Sequence, residues 1–242
     1  MSFSARVLDL PPPFRPVALR EVGDAFSHAT AEAAALGAGT LVFVGRFDVA
    51  EFAVVLEPEE PLASARCAFY AGMVALVDTL VALAPPETPI AIDWPDAVRI
   101  GRGLVGGGRL GWPRGTREDA MPEWLVFGAM VRLASMTGEE ALYPLATALE
   151  DEGFGAIGGD AFVASFARHL MAAFDRWREG DFAGLAREYV AKLPRERGVI
   201  QTIDTNGNLR IERLARRAVS LDLRSALEMP SWLDPATGSP RW

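Results

Sequence analysis

The stretch "RIGRGLVGGGRLGW", residues 99–112, holds six of the chain's 23 glycines, and its reading decides the fold. Within it, Gly101-Arg102-Gly103-Leu104-Val105-Gly106 fits G-x-G-x-x-G, the pattern in which a strand ends, glycines turn and a helix opens onto a pyrophosphate. The exit excludes that reading. Gly107, Gly108, Arg109, Leu110, Gly111, Trp112 and Pro113 follow, and a helix does not begin through so many glycines into an early proline. A P-loop fails as well, because no Lys-Ser or Lys-Thr follows the glycines. What remains is a hairpin: the strand "AVRI", a turn where Gly101 and Gly103 are free to take positive φ, and the strand "GGGRL".

Outward from this hairpin the periodicities alternate. Upstream, Val22, Ala25, Phe26, Ala29, Ala33 and Leu36 fall at helical spacing over 21–36, ahead of the strands "TLVFV" (40–44) and "EFAVVLEP" (51–58). A long apolar helix is expected over 62–83, its stripe Cys67, Tyr70, Val74, Val77 and Val81 facing a core. Cys67 is therefore read as a core residue. The strand "PIAID" (89–93) enters the hairpin, and "WLVFGAMVRLA" (124–134) follows it. Downstream, Asp160 can cap a helix carrying Phe162, Val163, Phe166, Leu170, Phe174 and Trp177, and Asp181 can cap another ending near Leu193. Around Asn206-Gly207 the pattern is a β-hairpin, so 195–242 reads as a small β appendage to a domain over 1–194.

Composition excludes several function classes. The chain has 242 residues, 50% hydrophobic, with a formal net charge of −8 and a pI near 4.9. That charge argues against nucleic-acid or anionic-membrane binding, both of which need clustered cations. A single cysteine cannot form an internal disulfide, and the proline-broken start "MSFSARVLDLPPPFRP" has no apolar signal region, so the expected compartment is the cytoplasm.

The order of these elements and the run "IDWPDAVRIGRGLVGGGRLGW" resemble the biotin and lipoate protein ligases. Trp94-Pro95-Asp96 and Leu104-Val105-Gly106-Gly107 stand where that family writes Lys-Trp-Pro-Asn-Asp and Lys-Leu-x-Gly-Gly. "LVFGAMVRL" is similar to its Gly-x-Gly-x-Asn strand, with Gly128 at the first glycine and Arg132 at the asparagine. The resemblance implies an α+β fold: a mixed, mostly antiparallel sheet with helices packed on one face and a small C-terminal β piece. It also implies lipoate or biotin with ATP or AMP as ligands, and a lipoyl or biotinyl carrier domain as partner. Such enzymes join a carboxylate to the α-phosphate of ATP and pass the acyl group to a carrier lysine, so positive charge is needed where negative charge develops.

Here the lysines are absent. The hairpin lysine falls at Gly103, or at Arg102 if the turn shifts by one, and the lysine before Trp-Pro is Asp93. Lys192 is the only lysine in the chain. The arginine- and glycine-rich loop of the family shrinks to Val44-Gly45-Arg46-Phe47-Asp48, and the Ser-Thr-Asn that opens its first helix becomes Val22-Gly23-Asp24. The expected ligand residues are Arg46, Trp94, Asp96, Arg102, Gly106, Gly107, Gly108, Gly128 and Arg132, with the three consecutive glycines as a pocket floor. Arg109 reads equally as a pocket residue or a solvated one.

Other constellations are weak. His28 and His169 sit on separate helices without a second ligand, and Asp93 and Asp96, three apart, point to opposite faces of a strand. Ser27, Ser64 and Ser135 have no His or acid at triad spacing. Two functions stay open: a binding protein for a small carboxylate or its acyl-adenylate with impaired ATP-dependent ligation, or an active acyl or lipoyl transferase or ligase in which arginines replace lysine. A purely structural subunit is the third reading.

Overall fold

A computed structural model describes residues 8–20, 23–135 and 145–241. Glu21 and Val22 of the expected first helix, and the terminal Trp242, lie outside them. A seven-stranded sheet has the order β1 (Arg15–Leu19), β2 (Thr40–Val44), β3 (Val49–Leu56), β7 (Leu125–Arg132), β6 (Gly103–Gly111), β5 (Ala97–Ile100) and β4 (Ile90–Asp93). β1 runs parallel to β2, and every other neighbouring pair is antiparallel. A second sheet joins β8 (Val199–Ile203), β9 (Leu209–Arg213) and β10 (Val219–Leu221).

Alternation along the strands builds two faces. On the first, Leu41, Phe43, Phe52, Val54, Phe127 and Ala129 join one core with α3 (Ala68–Leu83) and α4 (Gly159–Glu179). The short α2 (Leu62–Ala65) precedes α3, so the expected single helix is broken at Arg66 and Cys67. The span 62–83 is apolar enough to cross a membrane, with mean hydropathy 1.6, but it is buried against α4 and the sheet, which is why it is hydrophobic nearly all round. Burial pushes the Cys67 thiol up to about 12 and leaves it inert, whereas Val81, at the end of the expected stripe, is exposed. On the second face, Val42, Val44, Ala53, Val55 and Val126 pack under Ala25, Ala29 and Ala33 of α1 (Ala25–Leu36). The first helix thus covers the face opposite α3 and α4.

Local chemistry explains the departures from expectation. β1 contains Pro16 and lies at the sheet edge, where a missing N–H is tolerated. Gly158, not Asp160, caps α4, which places Asp160 in the first turn beside the positive end of the helix dipole. Asp181 does cap α5 (Phe182–Val190), accepting from the Gly184 amide at 2.8 Å. The C-terminal piece is sewn into the main core through Leu209, Leu223 and Leu227, the last two on α6 (Leu223–Glu228).

Candidate functional site

The site forms on the second face, between the N-terminus of α1 and a C-terminal segment. Register places Ala53, Gly128 and Arg109 abreast on β3, β7 and β6, with Glu51, Met130 and Gly107 in the adjacent row. The Phe26 ring lies over the first row. A Cβ at Gly128 would stand 2.6 Å from Phe26 Cδ2, so this glycine admits the aromatic ring to the sheet. The same ring carries the Arg109 guanidinium 4.2 Å from its centroid.

Arg109 is the unusual member. Its Nη2 donates to Asp24 Oδ1 at 2.8 Å, but its Nε, like that of Arg66 elsewhere, is buried without an acceptor among the described residues. Burial pulls its pKa down, and Asp24 and Glu51 oppose that pull. Glu51, only 3% exposed, accepts from the Ala25 amide at 2.8 Å; burial raises its pKa while that hydrogen bond lowers it. Asp24 accepts from the Ser27 amide at 2.9 Å. The protein's own carboxylates therefore occupy the start of α1, where the helix dipole would otherwise draw an anion.

The β2–β3 turn supplies the next charges. Arg46 donates to Asp48 through Nε at 3.1 Å and Nη2 at 2.6 Å. This bidentate pair lowers the Asp48 pKa from its ordinary value, and the buried Arg132 at the end of β7 adds to that lowering. Beyond Met130, the fully buried Trp232 covers Gly107 and packs with Val49, Ala97, Leu104 and Leu233. Its indole Nε1 donates to the Gly108 carbonyl at 3.0 Å. Asp96, 1% exposed, takes hydrogen bonds from the Ser231 amide at 2.8 Å and hydroxyl at 2.5 Å.

The structure gathers Arg46, Arg132, Gly107, Gly128 and Asp96 around this face and disperses the other expected residues. Gly106, Gly107 and Gly108 do not make one floor. Gly108 faces Met73 and Phe127 in the first core, Gly106 abuts the Met130 carbonyl, and only Gly107 looks toward Trp232. Trp94 turns to the first core as well, donating to the Tyr70 hydroxyl at 3.1 Å. Arg102 is exposed at the hairpin tip, where its carbonyl accepts from Arg99. Gly101 takes the positive φ of the turn at 57°, but Gly103 does not; a Cβ there would overlap the Thr147 side chain. Asp93 ends β4 and pairs with Arg99 at 2.5 Å, whereas Asp96 lies in the turn between β4 and β5, so the two do not share a strand and the expected alternation does not apply to them.

Glu51, Phe26, Asp48 and Ser231 were not singled out as site residues by the sequence, and Trp232 was read with Leu233 only as covering an interface edge. Only Glu51 left a signal there, a lone charge in the apolar run "VAEFAVVL". The single lysine lies elsewhere: Lys192 Nζ contacts Asp78 at 2.5 Å, on the helix layer of the first face. A concavity of about 670 Å³, lined by Phe14, Leu56, Phe174 and Trp177, opens at the far ends of β3 and β7 and does not include Arg109.

A profile of the biotin/lipoate A/B protein ligase family matches residues 10–191, three quarters of the chain. The chain belongs to this family. Among solved structures, it is similar to a biotin protein ligase-like protein of unknown function from Silicibacter sp. TM1040, with 29% identity, a TM-score of 0.77, and coverage of 91% of this chain and 99% of that one. The biotin protein ligase of Aquifex aeolicus shares the fold at 13% identity and a TM-score of 0.69, over 86% of this chain and 95% of that one. The Leishmania major biotin protein ligase in complex with biotinyl-5-AMP matches at 14% identity and a TM-score of 0.53, over 88% and 99%. No curated protein matches in sequence. The family membership accounts for the α+β fold and the mixed sheet, and its match ends before the C-terminal β piece.

Proposed function

We infer that this biotin/lipoate ligase-family protein binds a small carboxylic acid, of the biotin or lipoate class, or its acyl-adenylate on the second face of the sheet, without ATP-dependent ligation at an ordinary rate. The observation that carries the binding half is Arg109. A buried guanidinium N–H without an acceptor is costly, and a carboxylate or phosphate oxygen from a ligand relieves it with a charge-assisted bond.

The chemical half rests on what surrounds Arg109. Adenylation needs uncompensated positive charge where the carboxylate meets the α-phosphate. Here Arg46 is neutralised by Asp48 and Arg109 is paired with Asp24, while Asp24 and Glu51 already fill the helix N-terminus. The only lysine is bound to Asp78. The residues fit an acid at Arg109 and do not fit a triphosphate beside it. Transfer from a preformed acyl donor to a carrier-domain lysine is the second reading, favoured by the same Arg109 Nε, since an acyl-transfer oxyanion asks for one oriented donor rather than a phosphate cradle.

Calorimetric titration with biotin and with lipoate tests the binding half. Arg109→Lys keeps the charge opposite Asp24 but lacks the Nε donor, and is expected to weaken binding about tenfold with the fold intact, the value of one hydrogen bond to a charged group. Equal affinity in wild type and variant removes Arg109 from the site.

A further inference from the structure

Residues 230–241 lie on the surface where the inferred ligand would sit. They contain no helix or long strand, and they close on themselves. Leu233 bridges Pro240, the Arg241 amide donates to the Trp232 carbonyl at 3.0 Å, and the Asp234 amide donates to Ser239 at 2.8 Å. The attachment to the sheet is narrow: Trp232 and Leu233 on Val49, Ala97, Leu104 and Met130, the indole on the Gly108 carbonyl, and Ser231 on Asp96. Residues 235–239 are all exposed.

The placement of Trp232 follows from Gly107. A side chain at this position would strike the indole Cδ1 and Nε1, so the glycine leaves room for an aromatic ring lying directly on the strand. Gly107 is in the same row as Glu51 and Met130, next to Arg109 and Gly128. The ring therefore lies one row from Arg109 on the same face of the sheet.

We propose that residues 230–241 form a strap whose Trp232 occupies the ligand face, and that loading a carboxylic acid with an apolar body requires this strap to lift while the sheet stays folded. The proposal rests on the ligand site inferred around Arg109. In the closed form Trp232 stands in for the apolar body of the ligand, covering Val49, Ala97, Leu104 and Met130. In the open form those four side chains receive the ligand body, and its carboxylate reaches Arg109. A self-closed segment held by one aromatic anchor and one hydrogen-bonded serine opens locally more readily than the strands beneath it.

Two measurements on the full chain test this. Hydrogen exchange by nuclear magnetic resonance compares the Ser231 amide, bonded to the Asp96 side chain, with the Gly108 amide, bonded to the Asp96 carbonyl. The strap account expects Ser231 to exchange on the order of a hundredfold faster. Equal exchange, both limited by global unfolding, overturns the strap.

Titration with biotin and lipoate then compares wild type, Trp232→Ala and the milder Ser231→Ala, which keeps the anchor and loses only the hydroxyl contact to Asp96. Tighter binding by Ser231→Ala, by about tenfold for a lost hydrogen bond to a charged group, supports the strap; a folded Trp232→Ala should exceed it. Equal binding by wild type and both variants overturns the strap and leaves the ligand site standing. No binding of either acid by any of the three overturns the ligand site, and the strap as its gate falls with it.

Discussion

Asp96 carries a charge in a place that resists it. Burial raises its pKa to about 6, even though the amide and hydroxyl of Ser231 both favour the ionised form. Between about pH 4 and pH 6 the folded protein therefore holds a proton that the unfolded chain has released. Stability contributed at this residue falls as pH rises through that window, by roughly 3 kcal/mol in total. The expected outcome is that Asp96→Asn gains on wild type in urea midpoint as pH rises from 4 to 7. A constant difference across that range would contradict it. Asp48 has the opposite sign: held low chiefly by Arg46, it stabilises above the ordinary carboxylate range and loses that contribution as pH falls. The residue scale is also where the sequence was least legible. Arg132 could be flagged because a charge inside an apolar strand needs a partner, and Asp96 by its place in the Trp-Pro-Asp run, but Ser231, the partner of Asp96, stands 135 positions away and its spacing carries no trace of the contact.

At the scale of elements, the hairpin 97–111 was readable because glycine and proline chemistry rules out a helix after Gly106 whatever surrounds it. The first strand was not, since "RPVAL" has little alternation and its pairing with β2 is set by tertiary contact. Nor could sequence divide the glycines of β6 and β7 between the two faces, because the extra residue between Val98 and Arg99 partners shifts the alternation. Gly128 tests the assignment that followed. It supports the seat of Phe26 on the sheet, so Gly128→Ala should force the ring away and destabilise by about 1–3 kcal/mol. It should also weaken acid binding, since the displaced ring carries Arg109. Denaturant unfolding and titration of the same variant check both effects, and a neutral result in each would remove Phe26 from the site. Tyr70 makes a parallel case across the two sheets. Its hydroxyl accepts from Trp94 and donates to the Gly207 carbonyl at 2.5 Å, so Tyr70→Phe leaves two buried groups without partners and should cost about 1–3 kcal/mol.

For the whole molecule, the sequence-level division at 194 and 195 meets a core that runs across it, through Leu209, Leu223 and Leu227. Shared burial of this kind predicts one cooperative unfolding transition rather than two, which calorimetry resolves by comparing the measured and van't Hoff enthalpies. The superfamily and sheet were legible because the order of elements, the Trp-Pro hairpin and the glycine strand are all present in the chain. The inferred lack of ordinary ligation rests on residues absent from the sequence and on the pairing of those present. On the inference drawn above, a single lysine bound to Asp78 on the helix layer of the other face, with Arg46 and Arg109 each matched to a carboxylate, leaves little free positive charge for adenylation to develop against. One donor of that kind is worth about 3 kcal/mol, or on the order of a hundredfold in rate. Restoring it at the hairpin is blocked by Thr147 beside Gly103, so the wild-type chain itself is the informative sample. The most direct measurement is ATP–pyrophosphate exchange with biotin and with lipoate, at acid concentrations where calorimetry shows the site filled. The account predicts a filled site with exchange at background, and exchange at the rate of an ordinary ligase would contradict it.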